Sequence, residues 1–193
     1  MTESAPRPPS AGRLFLAVDP PAAAAADLDR ALEPLRSAPG APRWTPTSRW
    51  HLTLVFLGEV PAPLLTPLRA AVTPAADGTP PLSLQLAGAG RFGSRRRPSV
   101  CWAGLTGDVP ELTALAGRLA AAARSVGLTV EDRPFRAHLT VGRWRPGQPA
   151  DGDLPERLAG YRGPVWPVTG VVLWRSHLGP EPRYERVAAW PVG

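Results

Sequence analysis

One four-residue pattern occurs twice in this chain, as His51-Leu52-Thr53-Leu54 and again as His138-Leu139-Thr140-Val141. The apolar patterning predicts the same order of elements around each copy. Residues 13–19 read as a buried strand, Pro20 and Pro21 open a helix to about residue 37 with Leu28, Leu32 and Leu35 on one face, and residues 50–57 read as a strand ending at Gly58. A second helix over residues 61–73 carries Leu64, Leu68 and Val72 at helical spacing, and residues 81–86 alternate as a half-buried strand does. The order then recurs: a strand over 100–105, a helix over 109–126 striped by Leu112, Leu115 and Leu119, a strand over 137–143 and a weaker helix near 154–158. Two strands close the chain, 165–174 and 184–190. Leu14 precedes His51 by 37 residues and Val100 precedes His138 by 38. With the two histidines 87 residues apart, the period is too long for a solenoid and points to two similar lobes facing each other.

Composition narrows the function classes. The chain has 193 residues, enough for one ordinary domain or two small lobes with a proper core. Its 22 basic residues are all Arg, and Ile and Asn are absent as well, which reads as codon bias rather than a functional choice. A net charge of +6 fits an anionic partner, and guanidinium suits phosphate oxygens. Cys101 is the only cysteine, so an internal disulfide and a Cys-rich zinc site are both excluded. Residues 1–12 are polar and Pro-rich, lack the apolar core of a signal peptide, and read as a flexible tail ahead of a single bilobal unit over 13–193. No charge-free apolar stretch reaches the roughly 18 residues of a membrane helix. The expectation is a cytoplasmic, soluble monomer with no membrane partner.

The repeated pattern carries the chemistry. Successive strand side chains point to opposite faces. His and Thr two residues apart therefore share a face, while Leu52 and Leu54, like Leu139 and Val141, turn the other way into a core. Two facing lobes bring together two imidazoles and two hydroxyls, a set suited to phosphoryl chemistry. A neutral His takes a proton from water, a protonated one gives a proton to a leaving oxygen, and the ordinary imidazole pKa of about 6.5 suits both tasks. Thr hydroxyls donate to non-bridging phosphate oxygens where charge develops. A lone His-x-Thr in a strand is commonplace; two copies in matching contexts, using two of the three histidines, are not. A metal site is the rival for paired His, but no Asp, Glu or Cys stands at ligand spacing from either one, so no metal or cofactor is expected.

These residues resemble the 2H phosphoesterases, most closely the RNA 2′,3′-cyclic phosphodiesterases, also called 2′-5′ RNA ligases. Arg13-Leu-Phe-Leu-Ala-Val18 resembles the family's opening strand, His51-Leu-Thr-Leu-Val-Phe-Leu-Gly58 its first motif, and Gly88-Ala-Gly-Arg-Phe92 its mid-chain Gly-x-Gly-x-Phe turn. Arg133-Pro-Phe-Arg-Ala-His-Leu-Thr-Val-Gly-Arg143 resembles the second motif, with Ala137 where the family commonly has Pro. Leu173-Trp-Arg-Ser176, Arg183-Tyr-Glu185 and Trp190-Pro191 resemble the C-terminal strands. The resemblance implies a bilobal α+β LigT-like fold, two pseudo-two-fold-related lobes of antiparallel sheet with flanking helices around a central cleft. It implies hydrolysis of RNA 2′,3′-cyclic phosphate termini to 2′-phosphomonoesters, with His51 as proton donor, His138 as proton acceptor, and Thr53 and Thr140 on the phosphate. The residues alone are nearly symmetric and do not choose acid from base.

Other residues carry weaker signals. A basic residue at Arg143 lies near the nucleotide in the family, yet strict parity turns it away from His138, so it reaches the cleft only if Gly142 bends or bulges the strand. Arg95-Arg96-Arg97 reads as a basic loop able to steer phosphates or as a solvated turn, and Arg133 and Arg136 add positive potential ahead of the second motif. Trp50, Trp102, Trp166 and Trp174 read as packing residues, Tyr184 as structural, His177 as a surface residue and Cys101 as an inert small hydrophobe. Three rivals share these residues: joining RNA ends through a 2′-5′ bond, acting on another small cyclic or 2′-5′-linked nucleotide, and binding RNA or nucleotides without catalysis.

Overall fold

The computed structural model describes residues 10–147, 149–179 and 183–193. Its first strand, β1 (Ser10–Val18), ends in five consecutive buried residues, Leu14 to Val18. A strand buried on both faces needs a layer on each side, and the rest of the chain supplies them. Helix α1 (Ala22–Leu32) follows, burying Ala24, Leu28 and Leu32. The α-helix stops short of the expected residue 37 and tightens into a 3-10 turn, Glu33–Leu35, where Pro34 has no N–H to continue the ladder. Next come the two-residue β2 (Arg43–Trp44), β3 (Leu52–Pro61), α2 (Leu65–Asp77) and the long hairpin of β4 (Ser83–Gly93) and β5 (Pro98–Gly107). Helix α3 (Val109–Ser125), β6 (Leu139–Arg143), a 3-10 helix at Leu154–Leu158, and β7 (Arg162–Pro167), β8 (Gly170–His177) and β9 (Arg183–Pro191) complete the described chain.

The strands form two antiparallel sheets, ordered β3-β1-β8-β9 and β2-β6-β5-β4-β7. Superposing β3 on β6, β1 on β5, β8 on β4 and β9 on β7 relates the two, with β2 as an added edge beside β6. Two lobes with two-fold pseudosymmetry are therefore present, but they are not the two halves of the sequence. The strand that closes the first repeat, β4, lies in the second sheet, and the chain's last two strands complete the first. Helices α2 and α3 pack on each other and against β9 and β3, while α1 packs on β7. Leu112, Leu115 and Leu119 of α3 are fully buried, each contributing roughly 1.5–3 kcal/mol of transfer free energy. Trp190 Nε1 donates to Thr73 Oγ1 at 3.0 Å, tying β9 to α2.

Several sequence expectations need correcting. Ser10, Ala11 and Gly12 belong to β1, not to a tail, because Ser10 pairs with Pro61 and Gly12 with Val60; residues 1–9 lie outside the described residues. β3 does not end at Gly58 but passes through it, with Gly58 at φ 65° in a bulge opposite Leu14. The expected strand over 165–174 is two strands in different sheets, and the chain crosses between lobes at Val168, whose N–H bonds Leu82 O at 2.9 Å. Gly88–Phe92 is not a turn but the bulged interior of β4. There Gly90 gives room to the Trp102 ring, which a Cβ would meet at 2.2 Å. Among the described residues no helix is long and apolar enough to cross a membrane.

Candidate active site

The two His-x-Thr copies lead into equivalent strands, β3 and β6, which approach each other where the sheets meet. Leu52 and Leu54, and Leu139 and Val141, are buried, whereas His51, Thr53, His138 and Thr140 are half-buried on the opposite face, as strand alternation requires. Both strands carry a bulge directly after the Thr. Thr53 pairs with Ala17 and Val55 with Leu16, leaving Leu54 extra; Thr140 pairs with Trp102 and Gly142 with Cys101, leaving Val141 extra. An extra residue reverses the alternation beyond it. The residue five after each histidine thus returns to the cleft face: Phe56, opposite Phe15, and Arg143, opposite Val100. The bulge that Arg143 requires exists, one residue ahead of Gly142.

Each imidazole is fixed by the backbone two residues upstream. His51 Nδ1 lies 2.9 Å from Arg49 O, and His138 Nδ1 lies 2.7 Å from Arg136 O. A carbonyl only accepts, so Nδ1 carries the hydrogen and donates it, which leaves each Nε2 as the reactive nitrogen. Aromatic rings set the environment. Phe15 lies 4.6 Å from the His51 ring and Tyr184 meets it edge-on at 5.2 Å and 81°. Phe92 meets His138 edge-on at 4.8 Å and 80°. Burial is the main cause that pushes His51 down to about 4, and the charges of Arg143 and His138 act in the same direction. Burial and Arg143 also lower His138. The Arg143 guanidinium is therefore felt by both rings and His51 feels His138, which supports a common space for His51, His138 and Arg143. Among the described residues the Thr53 and Thr140 hydroxyls have no hydrogen-bond partner and Arg143 has no ion-pair partner.

The remaining candidates fall elsewhere. His177 Nε2 is engaged by Glu185 Oε2 at 2.8 Å at the end of β8. Arg95 is paired with Asp153 and Arg133 with Glu131, so among the described residues Arg96 and Arg97 are the members of the basic loop without an ion-pair partner. Trp50 is buried and donates to Thr45 O at 2.9 Å. Trp166 is buried, and Trp174 donates to Asp19 Oδ1 at 3.1 Å. Cys101 is buried and its thiol is pushed up to about 12, which leaves it inert. Two neighbours of the site are not among the residues that the sequence reading singled out for it. Tyr184, which reads as structural, lies against His51. Phe56, 60% exposed, stands at the same offset from His51 as Arg143 from His138. Among the described residues no three His, Cys, Asp or Glu side chains are grouped to hold a metal ion.

The comparisons with known proteins agree with this frame. The RNA 2′,3′-cyclic phosphodiesterase of Thermus thermophilus is 32% identical over 183 residues, covering 88% of this chain and 84% of its own length. The enzyme of the same name from Geobacillus stearothermophilus is 34% identical over 150 residues, 77% of this chain, and the chain spans about half (47%) of that relative's length. A crystal structure of a Thermus thermophilus protein superposes with a TM-score of 0.78 at 29% identity, covering 93% of this chain and 97% of that one. E. coli LigT complexed with 3′-AMP gives 0.74 at 26%, covering 94% and 98%. The family described as the 2′-5′ RNA ligase superfamily matches residues 18–180, both His-x-Thr strands included. With fold, paired strands and sequence in accord, the chain belongs to the 2′-5′ RNA ligase superfamily.

Proposed function

We propose that this protein hydrolyses 2′,3′-cyclic phosphate ends of RNA to 2′-phosphomonoesters without a metal, using His51 and His138 as a general acid and base. The observation that carries the reading is the two-fold pair of imidazoles, each with Nδ1 held by a carbonyl and Nε2 left to react, around a space that Arg143 also faces. His138 Nε2 takes a proton from water as the water oxygen bonds phosphorus. The P–O3′ bond breaks, and His51 Nε2 gives its proton to O3′. The carbonyls of Arg49 and Arg136 stabilise each ring in its charged form. Thr53 and Thr140 donate to the non-bridging oxygens, and Arg143 offsets their charge. His51 is neutral in the free protein at pH 7, because burial lowers it to about 4; the anionic phosphate between the rings restores its proton. Phe56 offers its exposed face to the terminal base. All these groups come from one chain, so a monomer suffices. The names of the relatives support the substrate class.

The test is turnover of an oligoribonucleotide ending in a 2′,3′-cyclic phosphate, in excess chelator. The wild type is expected to release 2′-phosphate ends. His51→Ala and His138→Ala are each expected to lose about 10²–10⁴-fold in kcat with unchanged circular dichroism. Tight binding without turnover overturns the reading in favour of a binding module, and loss of activity with chelator overturns the metal-free mechanism.

A further inference from the structure

The edge strand β2 puts a second guanidinium beside the first. Arg43 pairs directly with Arg143, and Trp44 pairs with Gly142. The pairing is close because residue 142 is glycine: a Cβ there would meet Pro42 Cγ at 2.9 Å and Cβ at 3.0 Å. Thr45 N–H bonds the carbonyl of the bulged Val141 at 2.8 Å, so the bulge and β2 are built together. The direction of Arg43 follows from two independent observations. Directly opposed residues of a sheet share a face, and Arg143 is on the cleft face. Trp44 points the other way, under the Arg36 guanidinium at 5.9 Å and with Nε1 donating to Arg36 O at 3.4 Å. Alternation then sends Arg43 to the cleft side.

Like charges directly opposed across a ladder destabilise a sheet. Among the described residues neither Arg43 nor Arg143 has an ion-pair partner, although the chain neutralises many other arginines, among them Arg30, Arg36 and Arg175. A pair of cations left in repulsion on the cleft rim is a site arranged for anions. Arg43 stands on the edge strand beyond Arg143, one strand spacing of about 5 Å further along the rim. An anion there is not the reacting phosphate.

Resting on the activity proposed above, we infer that Arg43 binds the phosphodiester on the 5′ side of the terminal nucleotide, and so makes the enzyme prefer an RNA chain to a cyclic mononucleotide. The mononucleotide has no such phosphate. The row Arg43, Arg143, Val100 and Phe92, ending beside His138, provides the track along which the chain would leave the site.

The experiment compares wild type, Arg43→Ala and Arg43→Lys on a 2′,3′-cyclic mononucleotide and on a short oligoribonucleotide ending in the same cyclic nucleotide. Expected for Arg43→Ala is a rise of about tenfold in KM for the oligonucleotide, unchanged kcat, and unchanged constants for the mononucleotide. The plot of log(kcat/KM) against log[salt] for the oligonucleotide should become shallower by about 0.7, and Arg43→Lys should restore that slope. Equal losses on both substrates, or no loss on the oligonucleotide, overturn the role of Arg43 while leaving the hydrolase reading intact. A wild type inert on both substrates overturns that reading and this inference together.

Discussion

The environment of His51 makes a titration the sharpest test of the site. Burial holds the ring down to about 4 from its ordinary 6.5. That difference corresponds to about 3 kcal/mol in favour of the neutral ring in the folded protein. Phe15 and Tyr184 are the aromatic rings packed on it. Replacing Tyr184 by Ala opens the edge-on side to water and leaves Phe15 in place. If the two rings share the desolvation about equally, the midpoint rises by about one pH unit. The assay is the Hε1 resonance of His51 followed against pH in the free protein. The chain has three histidines, so signals are assigned by single substitution. His138, whose aromatic neighbour is Phe92, should not move. The same perturbation has a stability signature. The unfolded ring binds its proton near pH 6.5 and the native ring only near 4, so the unfolded state holds more protons between those values. The His51 contribution to the unfolding free energy should therefore fall by about 3 kcal/mol as pH drops from 6.5 to 4, read as the difference between the wild type and a His51 substitution. His138 is lowered too and adds a loss of the same sign. In Tyr184→Ala the part due to His51 should shrink by about 1.4 kcal/mol. A wild-type His51 that titrates at or above 6.5, or one that Tyr184→Ala leaves unmoved, refutes the argument that packed rings set its protonation.

Two further substitutions separate binding from packing. Phe56 is 60% exposed, so Phe56→Ala should leave the urea midpoint nearly unchanged. It should raise KM for a cyclic nucleotide substrate about tenfold, through loss of roughly 1–3 kcal/mol of stacking; an unchanged KM removes Phe56 from the site. Gly90→Ala should do the reverse, because its Cβ would fall 2.2 Å from Trp102 Cζ2 and Trp102 packs on Phe92 at 5.9 Å, beside His138. Urea denaturation should show a loss of about 1–3 kcal/mol, with kcat reduced. Gly117→Ala on α3, which meets nothing within 4 Å, serves as the control and should stabilise by about 0.5–1 kcal/mol.

What was legible in the sequence, and what was not, divides along physical lines. The helix stripe of Leu112, Leu115 and Leu119 and the alternation around His51 and His138 are local periodicities, and a local periodicity survives into the fold. The partition of strands between sheets is not local. Residues 165–174 look like one apolar strand because both parts are rich in Val and Trp, yet β7 and β8 lie in different lobes. β2 has two residues, too few for any period to register. The bulges at Leu54 and Val141 are set by pairing with β1 and β5, and a single strand read alone cannot announce an extra residue. The offset of five from each histidine is nevertheless printed in the chain. Phe56 and Arg143 match once the repeat is taken beyond four residues. Tyr184 cannot be found that way, since it reaches His51 from β9, across the width of the sheet.

The near-identity of the two repeats raises a question that the asymmetry answers. A site with true two-fold symmetry would hold a phosphate in two equivalent orientations and could not distinguish attacking water from leaving sugar oxygen. Here the frame is symmetric where the proposed chemistry is: each Nδ1 on a carbonyl, each Nε2 left to react, each Thr on the same face as its His. It is asymmetric where the substrate is. The position five after the histidine is an exposed ring in one lobe and a guanidinium in the other, and β2 extends only the second lobe. A terminal nucleotide has a flat base on one side and a negatively charged chain on the other. Placing the base against Phe56 and the chain along Arg143 selects one of the two orientations, and with it which imidazole meets O3′. On the proposed mechanism the symmetric pair provides two proton-transfer groups, and the unequal residues at the sixth position of each motif decide which one acts as acid.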